Sequence, residues 1–529
     1  MPSYLLKNAT VVTMRAEQPE VSAVAFSEGK ITWIGAAEDA PPADIEIDLE
    51  GRTVLPGLID AHSHLFWMAL DRLETRLAPD EVSTVDDAVE KVREASREVP
   101  AGQWITAVGL NEFALKERRL PTREDLDRIS MAQPVAFKRV CGHAAVVNSK
   151  ALEILGIKDG TESPFGGIIE RASGRATGVL RERATDGVFA MWPLPPEIAL
   201  VDSLNEVAAI YHRFGVTGAT EAAVGFSSGF DAEWNVWQSL RRRGPYQLRM
   251  AFMLGLDERE ARARELHPSG VNLDWQVDTL KFFADGTIGS RTAALCEPYP
   301  DTNANRGLLM LPVRTLHDSM VAAHRAGWNV AVHAIGDRAI DLVVGSFSAI
   351  AKEGSLRRHR IEHLAFPSIT AKARLPQTGV TVVPQYAFLN AMGDGFVEKL
   401  GLERADRLYP AKSLLDAGVP IAGSSDAPAT PLSPFVGMAA AVERRSAGGH
   451  QFDRSECLTA QQALHAYTVG GARVLGQEGK RGVLQAGAVA DLVVVDRDPR
   501  SSRSGSILET QISATFVRGE CVFKHRLQG

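Results

Sequence analysis

Cysteine is scarce in this chain of 529 residues: Cys141, Cys296, Cys457 and Cys521 lie far apart, and no two form a Cys-X-X-Cys pair. That spacing excludes a disulfide-stapled scaffold or a thiolate zinc finger and suits reduced thiols in a cytoplasmic protein. No apolar run approaches the ~20 residues needed to cross a bilayer. The opening Met-Pro-Ser-Tyr-Leu-Leu-Lys has neither the basic start nor the apolar stretch of a signal peptide, so a cytoplasmic location is expected. An excess of positive charge is also missing. The formal net charge of −7 gives no footprint for nucleic acid or an acidic membrane, which leaves a small molecule as the expected partner.

What the chain has is alternation. Short apolar segments recur at Gly57–Phe66, Val216–Ala222, Gln247–Gly255, Val277–Gly286, Asn329–Gly336, Arg360–Ala365, Thr381–Tyr386 and Pro420–Asp426. Amphipathic stretches separate them. Leu204, Val207, Ala208 and Tyr211 follow the helical i, i+3, i+4, i+7 spacing, as do Ile340, Val343, Val344 and Phe347. Strands alternating with helices in this number predict an α/β fold, a TIM-like (β/α)8 barrel over residues 56–476. The ends read differently. Tyr4–Met14, the Ala23–Phe26 and Lys30–Gly35 pair, Ala490–Asp496, and the Ala514–Val517 and Cys521–Lys524 pair are strand-like. Residues 1–55 and 477–529 are expected to combine as one small β-sandwich, since neither end has enough residues for a core of its own. The interval between the first two barrel strands is far longer than one βα unit, so residues of about 70–200 are expected to be an insertion capping the barrel mouth.

The chemistry-bearing residues collect at strand ends. In Pro56-Gly-Leu-Ile-Asp-Ala-His62-Ser-His64 the two histidines are two residues apart, so a strand points them to one side. They stand where the apolar run stops, at the carboxyl edge where barrel enzymes place their chemistry. Lys281 lies among Leu280, Phe282 and Phe283, where an ammonium is costly to bury; carboxylation would make it an anionic oxygen donor. His333 ends the fifth strand, His363 the sixth, and Asp426 follows the eighth. Any one of these suits a hydrogen-bonded core residue equally well. Together they are the imidazole and carboxylate set that a divalent metal, zinc foremost, takes at an open catalytic site.

The pattern resembles the amidohydrolase superfamily, within it the family-3 branch of YtcJ-like proteins and N-substituted formamide deformylases. The likeness runs from Pro56 to Asp496 and includes Gly142-His-Ala-Ala-Val-Val-Asn-Ser149, Thr177-Gly-Val-Leu-Arg-Glu182, Phe283-Ala-Asp-Gly-Thr-Ile-Gly-Ser-Arg-Thr292, His333-Ala-Ile-Gly-Asp-Arg-Ala339 and Arg360-Ile-Glu-His363. The resemblance implies one or two metals per chain. His62 and His64 with Asp426 would hold the first, His333 and His363 the second, and carboxylated Lys281 would bridge them. It also implies that His143 and Glu182 reach the pocket and that a homodimer can form.

The expected reaction is hydrolysis of an amide-type C–N bond by metal-activated hydroxide, with Asp426 as proton shuttle and His143 or a metal stabilising the oxyanion. Asp60 and Asp337 are candidates to orient metal ligands. Phe66, Trp67 and Phe388 would line the pocket for an apolar or aryl group, and Arg291 would meet a substrate carboxylate unless a glutamate claims it. Two alternatives stand beside this: a mononuclear deaminase of a heterocycle, and a non-catalytic scaffold that has lost its ligands, which the full ligand set disfavours.

Overall fold

The structure, a computed structural model, describes residues 2–78, 81–300, 302, 304–354, 357–501 and 505–525. Seven parallel strands form the central sheet: Leu58–Ser63, Val216–Val224, Arg249–Leu254, Trp275–Phe283, Asn329–Ala334, Arg360–His363 and Thr381–Val383. Each pairs with the next in chain order, strand one lying beside strand two. The eighth segment is not a regular strand. It closes the ring with a single parallel bridge between Val382 and Ile421 and with four backbone bonds: Val382 N–H to Pro420 O (2.9 Å), Ala422 N–H to Val382 O (3.0 Å), Ala61 N–H to Gly423 O (3.1 Å) and Asp426 N–H to His62 O (2.8 Å). The result is a TIM-like barrel.

Helices wrap it as their apolar spacing dictates. Leu200, Leu204, Val207, Ala208 and Tyr211 of Glu197–Arg213 are buried, and so are Ile340, Val343, Val344 and Phe347 of Asp337–Ala351. One large apolar cluster joins these faces to the strands. Among the described residues no helix is long and apolar enough to cross a membrane.

The chain ends supply two further sheets, and here the expected Tyr4–Met14 strand is corrected. It is two strands, Tyr4–Lys7 and Thr10–Val12, which belong to different sheets. Asn8 breaks the run at φ 54°, a left-handed conformation that asparagine tolerates better than most residues and that turns the chain out of the first sheet. The second sheet pairs Leu492–Val495 with Thr53–Pro56, joining the two ends. Leu6, Val24 and Phe26 of one sheet pack with Val54, Leu492 and Phe516 of the other. Buried Asp491 ties this sheet to the barrel, accepting from Arg249 Nε at 2.6 Å and lying 3.3 Å from Arg481 Nε.

Residues between the first two barrel strands build a sheet of their own, in the order Gly167–Ala172, Arg175–Glu182, Ala144–Val147, Val135–Arg139, Ile105–Leu110 and Thr75–Arg76. Separate apolar clusters pack against it. Lys138 docks it on the barrel: its buried Nζ is 2.8 Å from Asp71 Oδ1 and 4.8 Å from the Trp67 ring centroid. The same strand leads directly to Arg139, Cys141 and His143.

Candidate active site

The strand ends bring His62, His64 and Asp426 to one point. One ligand atom from each lies within 4.8 Å of the others. His62 Nε2 is 3.2 Å and His64 Nε2 3.3 Å from the same oxygen, Asp426 Oδ1. The His62 and His363 ring centroids are 5.1 Å apart, those of His333 and His363 4.5 Å. All five residues line one small cavity with Lys281, Trp67, Cys141, His143, Phe226 and Phe283. Every metal candidate read from the sequence is therefore in one place.

Backbone strain holds part of this arrangement. Asp426 has φ 60°, His363 69° and Leu364 45°, conformations that persist where surrounding structure over-determines them and that cluster at active sites. Asp426 N–H donates to His62 O at 2.8 Å, and Leu364 N–H to Ala334 O at 3.1 Å. Beneath the pair, buried Asp60 accepts from Ser425 Oγ at 2.5 Å and from the N–H groups of Ser425 (3.0 Å) and His62 (3.2 Å). It fixes the first strand against the eighth segment.

Burial sets the charge states. It lowers His64 to about 4, His363 to about 3, and His333 well below its ordinary value. These imidazoles are neutral near pH 7, the form that coordinates a metal. Burial alone would raise Asp426, but His62, His64 and His363 hold its carboxyl well below the usual carboxylate range. Burial lowers Lys281 to about 8; Glu362 and Asp426 oppose that shift. Its Nζ is 5.1 Å from the Phe283 ring centroid, and among the described residues no carboxylate forms an ion pair with it. His363 Nδ1 is buried with no hydrogen-bond partner. An orphaned imidazole nitrogen beside two histidines and a carboxylate that share a focus is a donor set that fits a divalent metal.

Glu362 was missed in the sequence. Its Oε2 lies 2.5 Å from His62 Nδ1, and Arg360 Nη2 donates to that oxygen at 2.9 Å. Burial would raise its carboxyl, but Arg360 and His62 hold it well below the usual range. An anion on Nδ1 fixes the tautomer that aims Nε2 at a metal. The Glu362→Gln variant is expected to lose roughly 10- to 100-fold in metal affinity with the fold retained. Chelator competition measures this, and unchanged affinity would remove Glu362 from that role.

Other expectations need correction. Phe66 does not line the pocket: it is buried in the barrel core, its ring 6.5 Å from that of Trp237, and its N–H donates to Glu221 at 2.9 Å. Helix Leu65–Asp71 starts just after the histidines, so consecutive residues point ~100° apart and only Trp67 faces the cavity. Glu182 does border the cleft, and its carboxylate is engaged by the protein itself. Its Oε2 is 2.7 Å from His143 Nδ1, and its Oε1 accepts from Thr292 Oγ1. Arg291, in a left-handed turn at φ 54°, is outside the cavities around the donor set. The arginines that do border them are Arg183, on the cleft, and Arg139, gripped by Glu112 at 2.8 and 2.9 Å. Asp337 serves a helix start: its Oδ1 accepts from the N–H groups of Cys296 (2.8 Å) and Arg338 (2.9 Å).

His143 comes from the inserted sheet, its ring 5.5 Å from that of His333. Burial lowers its pKa, but Glu182 outweighs this and lifts it to about 9. With Nδ1 on Glu182, Nε2 remains for the site. From here a cleft of about 530 Å³ runs past Phe226, Phe283, Leu256 and Met310, large enough for a small-molecule substrate.

A closed ring of parallel strands with this donor set at its carboxyl edge defines a metal-dependent hydrolase. The chain belongs to the amidohydrolase family, whose model matches residues 46–523. It is 30% identical over 527 residues to the YtcJ protein of Bacillus subtilis (strain 168), covering 97% of this chain and 98% of that one. It is likewise 30% identical over 538 residues to the N-substituted formamide deformylase of Arthrobacter pascens, covering 98% of each. Among solved structures, an uncharacterized metal-dependent hydrolase from Pyrococcus horikoshii OT3 superposes with a TM-score of 0.74 at 25% identity, over 95% of this chain and 99% of that one.

Proposed function

We propose that the protein hydrolyses the C–N bond of an N-substituted amide, N-substituted formamides and other N-acyl amines included, with zinc as its metal. The observation that carries this reading is the convergence of His62, His64 and Asp426 with His333, His363 and Lys281 at the foot of a cleft sized for a small molecule. The name of the Arthrobacter pascens relative supports the substrate class.

His62, His64 and Asp426 would hold a first metal, and His333 and His363 a second, with Lys281 between them. Carboxylation of Lys281 would exchange a poorly compensated buried cation for an anionic oxygen donor. When bound, the metal polarises a carbonyl and acidifies water. Asp426, kept ionised by its histidines, accepts the proton of the attacking water and returns it to the departing amine. His143, kept protonated by Glu182, donates from Nε2 to the oxygen on which negative charge develops. Phe226, Phe283 and the inserted sheet exclude water from this end of the cleft. The two end sheets and their shared apolar cluster support reading 1–55 with 477–529 as one β-sandwich, and 70–200 as a cap that delivers His143.

The test is a substrate panel on protein of known zinc content: N-formyl and N-acyl benzylamines, a carbamate, a lactone and an amino-substituted heterocycle. Amine release from the acyl benzylamines is the expected result. Ammonia release from the heterocycle alone would overturn the proposal in favour of a deaminase.

A further inference from the structure

The donor set lies between two spaces of very different size. On the Lys281 side the cleft of about 530 Å³ shares Lys281, Phe226 and Phe283 with the metal cavity. A second chamber, of only about 50 Å³, shares His333, His363 and Asp426 with it. His143 borders all three. An extended molecule whose reacting bond sits at the donors can send one end into each space.

The small chamber is walled by Ile288, Ile335, Phe388, Met392 and Phe396. These walls are fixed by packing: the Phe388 ring stacks on Tyr409 at 6.3 Å and lies 6.5 Å from Phe396, and Ile288 and Ile335 are buried. Close-packed walls of this kind do not retreat without strain. Arg139 also borders the chamber, but Glu112 already matches its charge, so the space suits an uncharged group. A volume of about 50 Å³ holds roughly three or four water-sized groups, which is less than a phenyl ring needs.

We propose that this chamber sets substrate selectivity: the enzyme takes amides with one compact apolar substituent, seated among Phe388, Met392 and Ile335, and one bulky substituent in the cleft. The inference rests on the amide-hydrolase reading for its chemistry, but the size rule is a property of the two spaces alone. Phe388 and Met392 are its specificity-determining residues.

The test uses ketones in which a methylene replaces the amide nitrogen, so that none is cleaved. Benzylacetone and propiophenone each carry one phenyl group, on opposite sides of the carbonyl; dihydrochalcone carries one on each side. Calorimetry on the zinc-loaded wild-type enzyme is expected to give dihydrochalcone a Kd at least roughly tenfold weaker than the better of the other two, despite its larger apolar surface. Phe388→Ala, or Met392→Ala should the first variant fold poorly, is expected to remove most of that difference. Dihydrochalcone binding wild type as tightly as the better single-phenyl ketone would overturn the proposal, and so would a penalty unchanged in a folded variant. Hydrolysis of the matching amides is scored separately. Ketone selectivity without amine release would sink the amide reading and leave the chamber rule standing; amine release without selectivity would do the reverse.

Discussion

The Asp426→Asn variant is expected to keep its metal and lose roughly 10²- to 10⁴-fold in kcat, the range associated with removing a positioned proton acceptor. The substitution changes little else. Asn retains an Oδ1 in the position that faces His62 Nε2 at 3.2 Å and His64 Nε2 at 3.3 Å. It also suits the backbone, since φ 60° at this position lies in the left-handed region that Asp and Asn tolerate. The N–H bond to His62 O, 2.8 Å, involves only main chain. What disappears is the ionised carboxylate that can accept a proton beside the histidines. Metal analysis per chain and kcat on the best substrate of the panel check the two halves independently. Full metal with unchanged turnover would remove Asp426 from proton transfer; lost metal would make it chiefly a ligand.

Much of this site was legible because its residues stand at strand ends in motifs that residue type alone exposes. His62 and His64 share one side of a strand; His333, His363 and Asp426 follow apolar runs. What escaped depends on local departures from regular geometry. Glu362 directly precedes His363, and in a regular strand neighbouring side chains face opposite ways, so it reads as a residue of the other face. The left-handed φ of 69° at His363 breaks that alternation, and the ring of His363 and the carboxylate of Glu362 both reach His62. The eighth segment was visible as Pro420–Asp426, but its tie to strand one runs partly through side chains, Ser425 Oγ to Asp60 at 2.5 Å, which no hydrophobic pattern encodes. Phe66 and Trp67 are adjacent in sequence, and only the onset of a helix immediately after His64 decides which of them meets the cavity. Arg139 lay hidden for another reason: it belongs to an inserted sheet whose docking on the barrel depends on the buried Lys138–Asp71 pair, a long-range contact.

Replacing His62 and His64 together by alanine is expected to remove at least one metal per chain and reduce amide hydrolysis to background. The architecture around them should survive. With His62 gone, Glu362 still pairs with Arg360, whose Nη2 also donates to Ala61 O at 2.6 Å, so the Glu362 carboxylate is not orphaned, and Asp426 keeps His363 nearby. With His64 gone, Glu221 still accepts from Phe66 N–H at 2.9 Å. Burial raises Glu221 to about 8, so it can stay neutral at pH 7. The variant should therefore fold but lose the stabilisation that a ligand bound only to the native state provides, about 2.7 kcal/mol at a hundredfold excess over Kd. Thermal unfolding with and without zinc separates this from simple damage. Wild type should gain Tm on zinc addition and return to a lower value after chelation. The double variant should sit within a few degrees of that chelated value, on the scale of about 2–4 °C per kcal/mol for a chain of 150–250 residues and less for a larger one, and should respond to zinc less than wild type does. A double variant that still gains Tm with zinc and still cleaves amides would show that His62 and His64 do not anchor the catalytic metal, and the amide-hydrolase reading of this cleft would fall with them.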